Sequence, residues 1–338
     1  MRSSSEPILI WGAGAIGGVL GAYWAGAGRD VLLVDIHAEH VAACRKGLVI
    51  EGPVEEFSVP IDAVTPGELS GKYQKTVLAV KAHATEAAMA ALLPHLADDG
   101  FVLSAQNGLN ERVIASIAGP SRCMGAFVNF GADWLAPGRI LFGNRGAVVV
   151  GEIDGVTRDR THGMHDLLRL FEPDAVLTDD IWAYLWGKLG YGAMLFATAL
   201  TPDSMSDNFA DPARRPVLAA LAREVMAVAA AEDVRPKGFN GFDPAAFAPD
   251  ADPAAAAASL SALADFNRRT AKTHSGIWRD LAVRKRRTEV DPQIGIIVEI
   301  AKGHGIETPV LARLVALIHD IEDGRRDQSL ATFRALAS

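Results

Sequence analysis

The chain has 338 residues, 49% hydrophobic and 22% charged, enough for two domains with buried cores and unlike a disordered chain. A formal net charge of −8 argues against a phosphate-backbone binder, which needs a basic face. Two cysteines, Cys44 and Cys123, are too few for a disulfide framework, no Cys/His spacing suits zinc, and no metal is expected.

Arg2 ahead of the apolar stretch from Ile8 to Ala27 has the outline of a secretory signal. Glu6 precedes that stretch, however, and seven glycines interrupt it between Gly12 and Gly28, so a strand, a glycine turn and a helix explain it better. The strand is Ile8–Trp11 and the helix Ala15–Ala27; a strand at Val31–Asp35 and a helix at Ala38–Lys46 follow. Strand Thr76–Val80, helix Thr85–Leu93 and strand Phe101–Ala105 continue the alternation, which implies a parallel sheet covered on both faces. From Arg122 to Gly151, glycines, β-branched residues and turn signals predict short antiparallel strands. After Asp179 the strand signal stops. Helices are predicted over Ile181–Leu200, Arg214–Glu232, Pro253–Lys272, Pro292–Gly303 and Pro309–Asp323, with each proline suited to a first turn. Segment Pro236–Pro253, rich in Pro, Gly, Asp and Phe, reads as a long surface loop. The expected architecture is an α/β Rossmann domain over residues 1–178, with a parallel sheet and a short antiparallel extension, and an all-α domain over 179–338. No run reaches the ~20 apolar residues of a membrane span, so a cytoplasmic protein with neither membrane nor nucleic-acid partner is expected.

Gly12-Ala13-Gly14-Ala15-Ile16-Gly17 matches the dinucleotide-binding fingerprint, and its place between a strand and a helix makes the match specific. Gly12 permits the turn, Gly14 lets the backbone approach the pyrophosphate, and Gly17 lets the helix pack on the sheet. Asp35, 18 residues after Gly17, ends the second strand, where a carboxylate accepts from the adenosine ribose hydroxyls and repels a 2′-phosphate. NAD(H) is therefore expected over NADP(H), which stays as the alternative; the plainer reading of Asp35 is a cap for the helix that begins near Ala38, and the two roles can coexist.

Five patches in order resemble the ketopantoate reductase family: Gly12–Gly17; Val80-Lys81-Ala82; Gln106-Asn107-Gly108; Trp186-Gly187-Lys188-Leu189; and Arg287-Thr288-Glu289-Val290-Asp291 followed by His304-Gly305-Ile306 and Pro309. The resemblance covers nearly the whole chain and implies a Rossmann domain, a helical domain and an active site in the cleft between them. It implies that Lys188 is the proton donor, a role hydride addition to a ketone requires, because negative charge builds on the oxygen. It further implies that Asn107 touches nicotinamide ribose and substrate, that Lys81 and the backbone of Gly131 meet the cofactor, and that Glu289 contacts the nicotinamide ribose. Asn107-Gly108 is also a plain turn signal, and Arg284–Arg287 reads as a solvated helix face.

The chain departs from the family in its substrate pocket. Two asparagines that usually follow the lysine are Gly192 and Phe196 here, and the serine-rich loop reads Lys272-Thr273-His274-Ser275-Gly276-Ile277-Trp278, with His274 and Ser275 as substrate-side candidates. Losing amides removes polar recognition, so a larger or more apolar substrate than ketopantoate is expected. Asp35 is the other departure, since the family usually favours NADPH and carries a basic residue near that point. The expectation is a nicotinamide-dependent oxidoreductase acting on a 2-oxo acid or related ketone. A catabolic NAD-dependent alcohol or hydroxyacid dehydrogenase and a non-enzymatic dinucleotide sensor are the alternatives, and a homodimer is left open.

Overall fold

The computed structural model describes residues 6–270 and 272–337; Arg2 and Ala271, the latter inside the expected helix Pro253–Lys272, lie outside them. The chain divides into two compact units, Met1–Ile181 and Trp182–Ser338.

In the first unit the chain runs β1 (Ile8–Trp11), α1 (Ala15–Gly26), β2 (Val31–Val34), α2 (Ala38–Lys46), β3 (Leu48–Glu51), β4 (Phe57–Val59), β5 (Asp62–Val64), β6 (Tyr73–Leu78), α3 (Thr85–Leu92), β7 (Leu96–Ser104) and α4 (Asn110–Ala118). There follow β8 (Cys123–Val128), β9 (Gly131–Ala136), β10 (Arg139–Asn144), β11 (Val148–Glu152), α5 (Asp159–Phe171) and β12 (Val176–Leu177). The main sheet has the order β12-β11-β8-β7-β6-β1-β2-β5, parallel except for the β8–β11 pair. Its order reverses at β1, which has β2 on one side and β6 on the other, and ligands bind outside the carboxyl ends of strands at such a point. Every residue of β1 is buried. Ile8 and Ile10 enter one apolar cluster with Val31, Leu33, Val77 and Leu103, while Leu9 and Trp11 enter another with Val34, Leu78 and Val102. Period-two alternation therefore feeds two cores at once, as a sheet covered on both faces requires.

A second sheet, β4-β3-β10-β9, was not foreseen as a separate layer. The antiparallel strands expected over Arg122–Gly151 divide between the sheets: β8 and β11 extend the main one, and β9 and β10 form a hairpin in the other. Strands β3 to β5 are three or four residues each, too short for periodicity to register.

The second unit carries α6 (Ile181–Thr198), α7 (Met205–Ala210), α8 (Arg215–Ala231), α9 (Pro253–Arg268), α10 (Gly276–Ala282), α11 (Ile296–Gly303), α12 (Pro309–Glu322) and α13 (Leu330–Arg334), the first of them starting at the junction. Pro253 and Pro309 open their helices as expected; Pro292 instead lies in a π-helical turn, Asp291–Gly295, that leads into α11. Segment 236–253 is irregular and largely exposed, as expected of a surface loop, but it is anchored by buried aromatic rings. Phe242 and Phe247 are buried and stack with centroids 5.5 Å apart, and Phe239 meets Tyr191 edge-on at 5.6 Å. Its Pro, Gly and Asp content signals irregular backbone, whereas burial follows its aromatic rings, which remove large apolar areas from water. Among the described residues no helix is long and apolar enough to cross a membrane.

Candidate active site

At the carboxyl edge of the main sheet the loops after β2, β1, β6 and β7 stand in a row. Gly12 ends β1 at φ +102°, and a Cβ there would lie 2.8 Å from the backbone of Ala79 and Val80, so glycine is required twice over. A Cβ on Gly17 would strike the Gly12 carbonyl and the Ile10 side chain, which is why α1 can rest on the strand. A Cβ on Gly14, the N-cap of α1, would meet nothing within 4 Å, and no side chain caps the helix. The first-turn amides around Ala15 and Ile16 are thus left to an anion, beside open space, and this cradle fits a dinucleotide pyrophosphate.

Asp35 holds that cradle to the end of β2. Its Oδ2 accepts from the Ala13 N–H at 3.0 Å and its Oδ1 from the His37 N–H at 3.0 Å. The cap position of α2 is His37, so Asp35 closes a turn ahead of the helix instead of capping it. Each carboxylate oxygen keeps a second lone pair for a ribose hydroxyl.

The loops after β6 and β7 are joined by side chains that the sequence did not mark as functional. Gln106 donates from Nε2 to the Val80 carbonyl (2.9 Å) and to Thr85 Oγ1 (2.8 Å). Thr85 donates to Asn110 Oδ1 (2.8 Å), and Asn110 donates from Nδ2 to the Asn107 carbonyl (2.6 Å). This chain fixes Lys81, whose carbonyl starts a 3-10 turn, relative to Asn107, an exposed residue followed by Gly108 at φ +97°. The available signal was Gln106 itself, a polar residue ending an apolar run. Gly131 opens β9 at an irregular register opposite Asn144, and a Cβ there would run into the Asn144 side chain. Hairpin packing accounts for this glycine.

Neither cysteine is equipped as a nucleophile. Burial, reinforced by the Asp35 charge, pushes the Cys44 thiol up to about 12, and burial with the Glu111 and Glu152 charges pushes Cys123 up as well. Both thiols are expected to resist an aromatic disulfide reagent in the native protein and to react on unfolding; rapid native labelling of either would contradict their burial.

In the second unit, α6 is buried on all sides except for partly exposed Trp182 in its first turn and a stripe of Tyr184, Lys188, Gly192 and Leu195. These four recur at i, i+4, i+8 and i+11, one helical face. Lys188 therefore stands on the open face, and Gly192, one turn on, has nothing within 4 Å of where its Cβ would be. Phe196, the second position where the family usually has an asparagine, is fully buried and lies off the stripe that Lys188 and Gly192 share.

Beyond α6, His274 stacks on Trp278 at 4.1 Å and makes a 3.1 Å hydrogen bond through Nε2 with the Pro202 carbonyl. Trp278 Nε1 donates to the Thr201 carbonyl at 3.0 Å, and Ser275 caps α10 by accepting the Trp278 N–H. The loop carrying His274 and Ser275 is thus tied to the turn that ends α6.

Glu289 is buried. Its neighbour Thr288 donates both N–H and Oγ–H to Glu322 at 2.7 Å. The run Arg284–Arg287 is not a helix face, because α10 ends at Ala282 and Lys285 adopts φ +49°. Arg284 and Arg286 pair with Asp280 at 2.8 and 2.9 Å, and Arg287 with Glu322 and Asp323 at 3.1 and 2.6 Å, which moors the segment leading to Glu289.

Known proteins share this organisation. The family described as ketopantoate reductase PanE/ApbA matches residues 8–155, and its C-terminal counterpart matches 180–322. A 2-dehydropantoate 2-reductase of Archaeoglobus fulgidus is 28% identical over 321 residues, covering 94% of this chain and 99% of its own. Another from Pyrococcus abyssi is 28% identical over 316 residues, 92% and 96% of the two chains. A D-mandelate dehydrogenase solved with NADH and anilino(oxo)acetate superposes at a TM-score of 0.80 with 23% identity, over 94% of this chain and 99% of that one. A PanE/ApbA family ketopantoate reductase from Ralstonia eutropha JMP134 superposes at 0.78 with 25% identity and the same coverage. With both halves matched in order and the glycine cradle formed at the sheet's switch point, the chain belongs to the ketopantoate reductase family of oxidoreductases acting on CH–OH groups.

Proposed function

We propose that the protein is an NAD(H)-dependent reductase of a 2-oxo acid with a bulkier or more apolar substituent than ketopantoate carries, equivalently a 2-hydroxyacid dehydrogenase. The observation that carries this reading is the open stripe of α6, where Lys188 is followed one turn later by an empty position at Gly192 instead of an amide. The bound dinucleotide supplies or takes the hydride; Lys188 donates the proton to the carbonyl oxygen or removes it in reverse. Asn107 and Glu289 hold the nicotinamide ribose, Asp35 the adenosine ribose, and Lys81 the cofactor's polar groups. His274 and Ser275 border the substrate. That a D-mandelate dehydrogenase of this fold binds NADH supports an NADH-using member and keeps the oxidative direction as the second reading.

The test is NADH-linked reduction across 2-oxo acids of increasing side-chain size, paired with NAD-linked oxidation of the matching hydroxy acids. Bulky members should outrun ketopantoate. Gly192→Leu should cut kcat/KM for the bulky substrates by about tenfold and spare pyruvate, on the scale that a pocket distinguishes by a few methylenes. Ketopantoate turnover above that of every bulky acid would refute the substrate assignment. Absence of turnover with any acid in either direction would favour the sensor.

A further inference from the structure

His40, the third residue of α2, is 1% exposed and has no part in the chemistry above. Its Nδ1 faces two donors, the Gly138 N–H at 2.9 Å and Trp134 Nε1–H at 3.4 Å. An atom that accepts cannot carry a proton, so the proton sits on Nε2. Nε2 points at the Ala13 carbonyl, 2.8 Å away. The N–H of the same residue is held by Asp35 Oδ2. Ala13, in the middle of the glycine turn, is therefore gripped at both of its backbone groups, one by Asp35 and the other by His40.

The other end of the imidazole is equally anchored. Gly138 lies in the β9–β10 turn at φ +72°, where a Cβ would lie 2.7 Å from Ala43 Cβ of α2. Its carbonyl accepts from Val49 N–H of β3 at 2.9 Å. Ile140 of the hairpin lies under Gly18 of α1, where a Cβ would strike it. The second sheet is thus tied to the glycine turn through one ring.

We propose that His40 is a positioning residue for the dinucleotide: as the neutral Nε2–H tautomer it donates to the Ala13 carbonyl, and that bond fixes the pyrophosphate cradle. This rests on the reading of Gly12–Gly17 as the dinucleotide site. A loop held before the ligand arrives avoids the ordering cost that a loose loop pays on binding.

Two amides divide the imidazole's functions. In His40→Gln the side-chain NH2 sits where Nε2 was and can still donate to the Ala13 carbonyl. In His40→Asn the carbonyl oxygen sits where Nδ1 was, can accept from Gly138, and leaves Ala13 O buried without its donor. The measurements are NADH dissociation constants by calorimetry and melting temperatures of both variants. His40→Asn should weaken NADH binding by about tenfold or more, the scale of a buried acceptor left unpaired. His40→Gln should stay within about threefold of the wild type, whatever its melting temperature. Equal NADH affinity in the wild type and in folded His40→Asn overturns the proposal, as does an equal loss in both variants. Should neither variant fold, 15N-histidine spectra of the wild-type protein decide. A Nε2–H tautomer at His40 whose Nε2 resonance moves on adding NADH supports the assignment, and a Nδ1–H tautomer or an unmoved resonance overturns it. A wild-type protein that binds neither nicotinamide dinucleotide defeats the reading of the glycine turn itself, and the role of His40 with it.

Discussion

Replacing Lys188 by alanine should lower kcat by about 10²–10⁴-fold, the usual scale for a lost general acid. Reduction of a ketone leaves an alkoxide unless a proton arrives as the hydride does, so the group that delivers it must be held at the carbonyl oxygen. On the partly exposed stripe of α6 two residues carry a transferable proton, Tyr184 and Lys188, and the proposal assigns the role to Lys188; Gly192 and Leu195 complete the stripe, and past the first turn the rest of the helix is buried. Trp186 and Leu189, the buried neighbours of Lys188 in sequence, fix the helix that carries it. NADH affinity should change little, since the glycine cradle and Asp35 belong to the other unit. The measurement is kcat at saturating cofactor and substrate alongside the NADH dissociation constant. A variant that keeps near-normal kcat would show that water or another residue supplies the proton. One that loses NADH binding in parallel would show that Lys188 serves the cofactor.

The sequence disclosed the glycine turn and the first strand because their constraints are local. A turn at φ +102° with no room for a Cβ must be glycine, and a strand buried on both faces must be apolar throughout, so Gly12 and Ile8–Trp11 announce themselves. The second sheet stayed hidden because β3 and β4 are short and β10 finds its parallel partner, β3, far back along the chain. In segment 236–253 the irregular, exposed backbone was legible in the composition, but its aromatic anchoring was not, because burial depends on which rings meet, and Phe239 meets Tyr191 from 48 residues away. On α6 Gly192 was legible as a missing amide, but the burial of Phe196 was not: successive steps of four residues drift round the helix, so Leu195 rather than Phe196 continues the open stripe. The Gln106–Thr85–Asn110 network and the His40 grip were invisible because each depends on partners more than 20 residues apart.

Asparagine at position 35 should reduce the preference for NAD(H) over NADP(H) by about 10²-fold, read as the ratio of kcat/KM values on one substrate. The effect is electrostatic. A carboxylate close to a 2′-phosphate is a like-charge pair in a partly buried site, and such juxtaposition costs several kcal/mol. Part of this is recovered through solvent and counterions, leaving roughly two powers of ten. Asparagine is the informative replacement because Asp35 has a second duty. Its Oδ2 accepts the Ala13 N–H and its Oδ1 the His37 N–H, so alanine would free the glycine turn and weaken both dinucleotides together. An amide oxygen can keep the Ala13 bond while the charge is gone, and it can still accept from a ribose hydroxyl. Three patterns are therefore distinguishable. Asp35→Asn that narrows the ratio mainly by improving NADP(H), with Asp35→Ala impairing both cofactors, fits a carboxylate that selects and anchors. An unchanged ratio in both variants reduces Asp35 to an anchor of the turn. A wild-type preference for NADP(H) would mean that the 2′-phosphate is received away from the end of β2, and the assignment of Asp35 to the adenosine ribose would fall.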